Sequence, residues 1–350
     1  MQLQNDVMII GGGLSGLTLA CFLQKKGIEA VILEASERPG GRIHTVTGSL
    51  DTPLELGATW FSDIHVHLLE LIEELGLTRY PQYSEGISLF QTKSFEPPQQ
   101  FFIPAADIPS YRIAGGTGML IHALAQKLNH SCIQLNKKVI AVKQAAHNLI
   151  VETADGTIFN AERVVVCIPP QLAAATIRFL PELPESIRQV LPAVQTWMSG
   201  AVKFTLEYDE PFWRTAGYSG MLYSHAGIVT EMYDHTSFEE DKYGFTGFLN
   251  SSAAAYSPEV RKELVLNQLR ELLGAKVMEP ATYFDKVWND EFIAAGSPVI
   301  IRPHQHNGHP AFFSAYMGNR LHFCGTETAA AFPGYMEGAV IAARLVGSRL

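Results

Sequence analysis

The chain has 350 residues, a formal net charge of −9, 47% apolar residues and only 17% charged ones. That length suits two domains, and the composition excludes a disordered chain, a coiled coil and a supercharged binding tail. No Lys/Arg run reaches four residues, which argues against nucleic acid, and Cys21, Cys132, Cys167 and Cys324 lie far apart in apolar contexts, which fits a reducing compartment rather than a disulfide or zinc framework.

In chain order, Val7–Ile10 reads as a buried strand, Leu14–Lys26 as a helix stopped by Gly27, and Ala30–Leu33 as a second strand. Together they make a βαβ start. The apolar run from Val7 to Leu23 lacks a basic leader region, has Asp6 before it and holds four glycines, so it is not read as a signal peptide. His65–Leu75 is an amphipathic helix, with Leu68, Leu69, Leu71, Ile72 and Leu75 on one side and Glu70, Glu73 and Glu74 on the other. From Pro81 to Pro109 prolines punctuate the pattern, which predicts an irregular or short β excursion into a second domain. Gly118–Leu128 returns to helix. Val139–Val142, Leu149–Thr153 and Thr157–Asn160 read as strands, the last two joined by an Asp155-Gly156 hairpin turn, and Val164–Ile168 as a buried strand. Val202–Glu207 alternates as a strand. Ser257 caps a helix with Pro258 in its first turn and Gly274 as its stop. Leu321–Cys324 is a last strand and Gly334–Leu350 a closing helix. No run of 18 apolar residues predicts a membrane span. Ser348-Arg349-Leu350 is like a peroxisomal address, or simply a frayed helix end. The expected location is cytoplasmic, or peroxisomal if the source is eukaryotic.

Gly11-Gly12-Gly13-Leu14-Ser15-Gly16 fits G-x-G-x-x-G. The pattern alone is weak, but here it follows a strand, opens a helix and is answered by Glu34 at the end of the next strand. Gly11 allows the tight turn, Gly13 lets the backbone reach a pyrophosphate, and Gly16 lets helix and strand pack closely. The helix start offers free N–H groups to phosphates, and Glu34 can accept from a ribose diol. A second glycine pair, Gly40-Gly41, followed by Arg42, suits a backbone approaching the same pyrophosphate from the other side, with Arg42 neutralising charge there. Lys203 stands on an otherwise apolar strand, where a charge needs a partner unless it faces solvent at an edge.

Several long stretches resemble the flavin-containing amine oxidase family, in its monoamine and polyamine oxidase branch. They are GGGLSGL at the N-terminus, LEASERPGGR, LGATW at Leu56–Trp60 and AGGTGML at Ala114–Leu120. VVVCIPP at Val164–Pro170, VKFTLEYDEPFW at Val202–Trp213 and FCGTETAAAFPGYMEGAV at Phe323–Val340 complete them. The resemblance implies an α/β fold: an FAD-binding Rossmann-like domain (1–80, 112–194 and 296–350) interleaved with a smaller mixed-sheet, α+β substrate domain (81–111 and 195–295). It also implies non-covalent FAD, with Glu34 on the adenosine ribose, Ser15 and Arg42 at the pyrophosphate, and the Val139 backbone at the adenine. Gly57, Ala58 and Thr59 would line the flavin edge and Glu327 the ribityl chain or pyrophosphate. The Met336 N–H would face the flavin pyrimidine, where a helix N-terminus suits the negative charge of reduced flavin.

The implied reaction is oxidation of an amine to an imine, with flavin reoxidised by oxygen to give hydrogen peroxide. Lys203 matches the lysine that holds a water against flavin N5. Tyr335 matches an aromatic flanking the amine, and Trp288 and Phe332 are candidate neighbours, or else core residues. Gly296-Ser297-Pro298 stands where monoamine oxidases carry a flavin-linking Cys and a second cage Tyr, so FAD should be non-covalent and simple monoamine specificity is in doubt. Pro81–Tyr111 is short where the family has a long helical insertion, which implies a more open site, a bulky substrate or a roof from an oligomer or partner subunit. The expected partners are thus a small-molecule amine and oxygen, without nucleic acid or membrane. The His304, His306 and His309 loop invites a metal reading, but a surface loop is the simpler one. Two rivals stay open: a flavoenzyme of the same fold that desaturates or isomerises a polyene or porphyrin precursor, and a flavin-binding partner protein with little turnover.

Overall fold

The structure, a computed structural model, describes residues 4–289 and 302–350. The Gly296-Ser297-Pro298 segment lies outside the described residues.

The N-terminal βαβ unit forms as its pattern predicts. Strand β1 (Gln4–Ile10) leads through the glycine loop into helix α1 (Leu14–Lys25), and Gly27, at φ +74, turns the chain toward strand β2 (Ala30–Leu33). β1 runs parallel to β2 on one side and to the nine-residue strand Ile158–Val166 on the other. These three are the centre of an eight-stranded sheet that also holds 133–134, 139–144, 149–153, 178–180 and 321–323. The sequence divides Ile158–Val166 in two because Asn160, Glu162 and Arg163 interrupt its apolar pattern. It is continuous because its neighbours change along its length: its first half pairs antiparallel with Leu149–Thr153, its second half parallel with Leu321–Phe323. α1 packs on one face of this sheet with the closing helix and with the helices over residues 66–74 and 118–127, around a core that includes Leu17, Leu68, Leu120 and Val340.

A second sheet has seven strands, in the order 282–287, 202–208, 243–249, 229–234, 218–224, 86–91, 99–103. Its strands come from the two stretches assigned to the substrate domain, and the 79–113 region is built of short strands with no helix. Of the five strands between 202 and 287, the sequence pattern marks only that of Lys203. We label three of them β3 (Val202–Tyr208), β4 (Val229–Asp234) and β5 (Tyr243–Leu249). All seven residues of β3 are buried, so both faces of the strand are covered. Val202, Phe204 and Leu206 pack with Phe245 and Leu249 against helix α2 (Pro258–Leu273), which Ser257 caps and Gly274 ends as expected. The opposite face is polar: Lys203, Thr205 and Glu207 on β3, Thr246 on β5, and Glu231 and Tyr233 on β4 stand in register across three strands. That face meets the 45–59 segment of the first domain. Glu207 fixes the meeting: its carboxylate accepts from the N–H groups of Leu50 and Thr52 (both 3.1 Å) and from the Thr282 hydroxyl (2.8 Å).

Candidate active site

A large cavity runs between the two sheets, with a volume of about 1140 Å³. Ordinary ligand pockets hold roughly 300–1,000 Å³. One end is lined by Glu34, Val139 and Lys138, the middle by Gly11, Gly13, Ser15, Gly41 and Arg42, and the other end by Gly57, Ala58, Thr59, Lys203, Trp288, Tyr335 and Met336.

The two glycine loops are joined at the middle. Gly40 N–H donates to the Gly12 carbonyl (2.8 Å), and Gly13 and Gly40 bridge as neighbouring strands do. A Cβ at Gly13 would have only the Gly40 oxygen near it, at 3.9 Å, so the space in front of this backbone belongs to the cavity. Gly16 is different: it is not a lining residue, and its Cβ would stand 2.1 Å from the Gly11 carbonyl oxygen. Gly13 brings no side chain to the α1 start, and the first turn carries no acidic residue, so the N–H groups there are free to meet an anion. Glu34 is held by its own loop: Gly12 N–H donates to Oε2 (2.7 Å), and the Ser36 N–H and hydroxyl donate to Oε1 (2.9 and 2.8 Å).

Arg42 and Glu327 face each other. The guanidinium donates to both carboxylate oxygens, at 2.5 and 3.2 Å, and Glu327 is fully buried behind it. Glu327 therefore does not line the cavity; it orients the arginine that does.

The closing helix α3 (Met336–Arg349) also starts at the cavity, with no side-chain cap. Its first-turn carboxylate, Glu337, is turned away to accept from the N–H groups of His67 (3.0 Å) and Leu68 (2.7 Å), capping the 66–74 helix. His65 accepts from Ser62 N–H at the same helix start. Among the described residues, no group of three or more His, Cys, Asp or Glu side chains is placed to hold a metal. His304 is stacked on Trp197, ring centroids 4.5 Å apart.

Lys203 is 2% exposed. Its Nζ donates to the Gly57 carbonyl (2.7 Å) and to the Thr59 hydroxyl (2.6 Å), and lies 5.0 Å from the Trp60 ring and 5.6 Å from that of Phe248. Burial pulls its pKa down from 10.5 to about 7, against the pull of Glu55, which raises it; Arg112 lowers it further. Gly57 has no room for a side chain, since a Cβ would stand 2.3 Å from the Arg42 carbonyl oxygen. Its carbonyl is thereby fixed in front of the lysine.

The walls at this end are aromatic. Trp288 donates its Nε1–H to the Leu56 carbonyl (2.8 Å). Tyr335 lies 6.4 Å from Trp197. Phe332 does not line the cavity; at φ +51 its ring turns edge-on to His65, centroids 5.1 Å apart. The sequence motifs assign no role to Trp197, Tyr233, Phe248 or Glu231, which all line this end, and Trp60 figures only as the last residue of its motif. Tyr233 donates to Glu231 Oε2 (3.1 Å), is paired with the Tyr223 hydroxyl (2.8 Å) and sits edge-on to Trp60.

The cavity thus offers a backbone cradle, two uncapped helix starts and the Glu34 carboxylate along one path, which fits a dinucleotide with a ring system at the lysine end. A profile of the flavin containing amine oxidoreductases matches residues 14–106 and 93–349, and the chain belongs to that family. A probable flavin-containing monoamine oxidase A of Dictyostelium discoideum is 27% identical, with 96% of this chain and 95% of that protein aligned. The flavin-containing amine oxidase B of Homo sapiens is 25% identical, over 96% of this chain and 84% of that one. The first alignment spans 446 columns, so the relative carries residues that this 350-residue chain does not. Among solved structures, putrescine oxidase with putrescine bound superposes with a TM-score of 0.85 at 23% identity, over 99% of both chains. Cyclohexylamine oxidase from Brevibacterium oxydans gives 0.84 at 20% identity, over 99% of this chain and 98% of that one. The protein is an FAD-dependent amine oxidoreductase, and of the readings the sequence leaves open, the amine is the supported one. Among the described residues, no helix is long and apolar enough to cross a membrane.

Proposed function

We propose that the cavity oxidises an amine carrying a second cationic group several bonds away, with Lys203 as the basic residue beside the flavin ring. In this reading Tyr335 and Trp288 are walls for the reacting amine and Glu231 receives the distant cation. Glu34, Val139, Gly11, Gly13, Ser15, Gly41 and Arg42 hold the adenine, ribose and pyrophosphate, and Gly57–Thr59 and Met336 hold the ring. FAD supplies the acceptor for the hydride equivalent that leaves the carbon next to nitrogen.

The observation that carries the substrate class is the carboxylate of Glu231, which among the described residues lines the lysine end beside Trp60, Tyr233 and Phe248. It stands on β4, two strands from Lys203 on β3, in the same row of the sheet. At about 4.8 Å per strand that is roughly 10 Å. The two ends ask for opposite protonation states. An amine reacts only when neutral, and an aromatic, desolvated site lowers the pKa of the amine it encloses. A carboxylate does the reverse for a second amine, keeping it an ammonium that anchors the substrate. The Tyr233 hydroxyl fixes the carboxylate by donating to it. The neighbour solved with putrescine bound supports the same direction.

The test is a specificity series of straight-chain diamines against alkyl monoamines of matched length. Wild type should favour the diamines. Glu231→Gln should lower kcat/KM for them at least tenfold, mostly through KM, and leave the monoamines nearly unchanged. Equal loss on both series, or a wild-type preference for monoamines, would overturn the substrate class.

A further inference from the structure

The second sheet ends on an open strand. Gln99–Ile103 pairs antiparallel with the 86–91 strand on one side, and among the described residues no strand lies on its other side. Alternate N–H and C=O groups along that outer side are left unpaired. Pro97, Pro98 and Pro104, which bring no N–H, bound the strand at five residues. Phe101 is 50% exposed and Phe102 is 70% exposed, and as neighbours in a strand they project to opposite faces, so both sides of the edge are apolar. Phe95, 80% exposed, and Ile108, 81% exposed, stand beyond its two ends.

The opposite edge of the same sheet is built differently. Thr282–Val287 is half-buried throughout and carries Lys286 and Asp285, the latter gripped by Arg261 through two hydrogen bonds (2.8 and 2.6 Å). Charge on an edge strand keeps other chains from pairing with it. No charged residue stands between Pro97 and Ala106, although the chain as a whole carries −9. Copies of such a chain repel one another, and this neutral stretch lets two of them approach without setting like charges face to face.

We propose that Gln99–Ile103 pairs antiparallel with the same strand of a second copy of this chain, about a two-fold axis at Phe101, so that the two seven-stranded sheets become one. That register uses all five residues: Phe101 meets the partner's Phe101, Gln100 the partner's Phe102 and Gln99 the partner's Ile103. A displaced register would set a proline against the strand. Antiparallel order also brings the Phe95 end of one copy to the Ile108 end of the other. Because one strand serves both copies, the pairing uses up both open edges and stops at a dimer. Phe95, Phe101, Phe102 and Ile108 together leave on the order of 500 Å² of apolar surface exposed per copy. A standard interface takes about 800 Å² from each partner, and the strand backbone with Gln99 and Gln100 supplies the rest. Phe101 stands on the same face of the sheet as Lys203, through the row Lys203, Phe248, Glu231, Tyr223, Phe90, Gln99. Its strand lies three strands from that of Glu231, about 14 Å away, so the seam is clear of the aromatic compartment.

Sedimentation velocity of the holoenzyme, followed by its flavin absorbance from about 0.5 to 100 μM, tests the pairing. Wild type should pass from monomer to dimer within that range. Phe101→Lys sets two ammonium groups against each other at the axis and should raise the dissociation constant by about a hundredfold or more, and Phe101→Glu should do the same. An equimolar mixture of the two variants should restore the dimer, because position 101 meets itself. Phe238→Lys, which charges an exposed aromatic outside the edge, should leave the dimer intact. Turnover equal to wild type shows that each variant is folded, and Phe102→Lys serves if Phe101→Lys does not fold. A wild type that stays monomeric throughout, or a dimer that both Phe101→Lys and Phe102→Lys leave intact, would overturn the inference. A Lys/Glu mixture that stays monomeric would overturn the axis at Phe101.

Discussion

Arg42 and Glu327, 285 residues apart, form a two-point ion pair whose carboxylate is fully buried and whose guanidinium lines the cavity. The pair ties the closing segment to the second glycine loop before any cofactor arrives. Glu327→Gln keeps the shape and removes the charge, so it should destabilise the apoprotein by about 2 kcal/mol, less than a fully buried pair because Arg42 is part-exposed. Arg42→Met should in addition lower FAD affinity at least tenfold, with a reduced salt dependence. Urea unfolding of the apoprotein and fluorescence titration with FAD read the two effects separately.

Gly13 and Gly16 belong to one motif but answer to different constraints. A Cβ at Gly13 meets nothing of the chain closer than 3.9 Å and enters the cavity, whereas one at Gly16 overlaps the Gly11 carbonyl at 2.1 Å. Gly13→Ala should fold with its apoprotein stability within about 0.5 kcal/mol of wild type and lose FAD affinity tenfold or more. Gly16→Ala should lose about 3 kcal/mol of stability, or fail to accumulate. If both variants lost stability alike, the space in front of Gly13 would not be a ligand's.

Elements whose limits are set by local chemistry are legible in the sequence. Pro258 to Leu273 has a serine cap, a proline in its first turn and a terminal glycine at φ +87, and the helix forms between them. Glu34 is legible because its spacing from the glycine loop follows from a βαβ unit. What stays hidden is set by register across strands. Lys203, Phe248 and Glu231 are neighbours because β3 pairs with β5 and β5 with β4, and no local pattern states which residues will face one another. Phe332 fails for a different reason: a positive φ aims its ring at His65, and its spacing from Tyr335 cannot report that.

The thiols bear on how the flavin is held. Cys21 reaches the Leu124 carbonyl and Cys132 the Ala30 carbonyl, both away from the cavity. Cys167 lines it, but burial and the adjoining Cys324 push its thiol well above the ordinary range, which suppresses the thiolate that bond formation would need. Acid precipitation of the holoenzyme should therefore leave a colourless pellet and release all the flavin. A yellow pellet would mean a covalent link.

Burying a lysine has a cost that pH can reveal. Lys203 titrates near pH 7 in the folded chain and near 10.5 when unfolded. Below pH 7 both states hold the proton, and the folded state carries the full cost of a buried ammonium. Between about pH 7 and 10.5 the unfolded chain holds a proton that the folded chain has released, so this group makes stability rise with pH, by about 1.4 kcal/mol per pH unit within the window. Lys203→Met has no such group. Its stability relative to wild type should be most favourable near pH 6.5 and should decline steadily toward about pH 9.5. The loss of the two hydrogen bonds to Gly57 and Thr59 offsets every point alike and leaves the slope. Urea unfolding of both apoproteins at several pH values measures that slope directly, and a flat difference would mean that the buried lysine keeps its ordinary affinity for the proton.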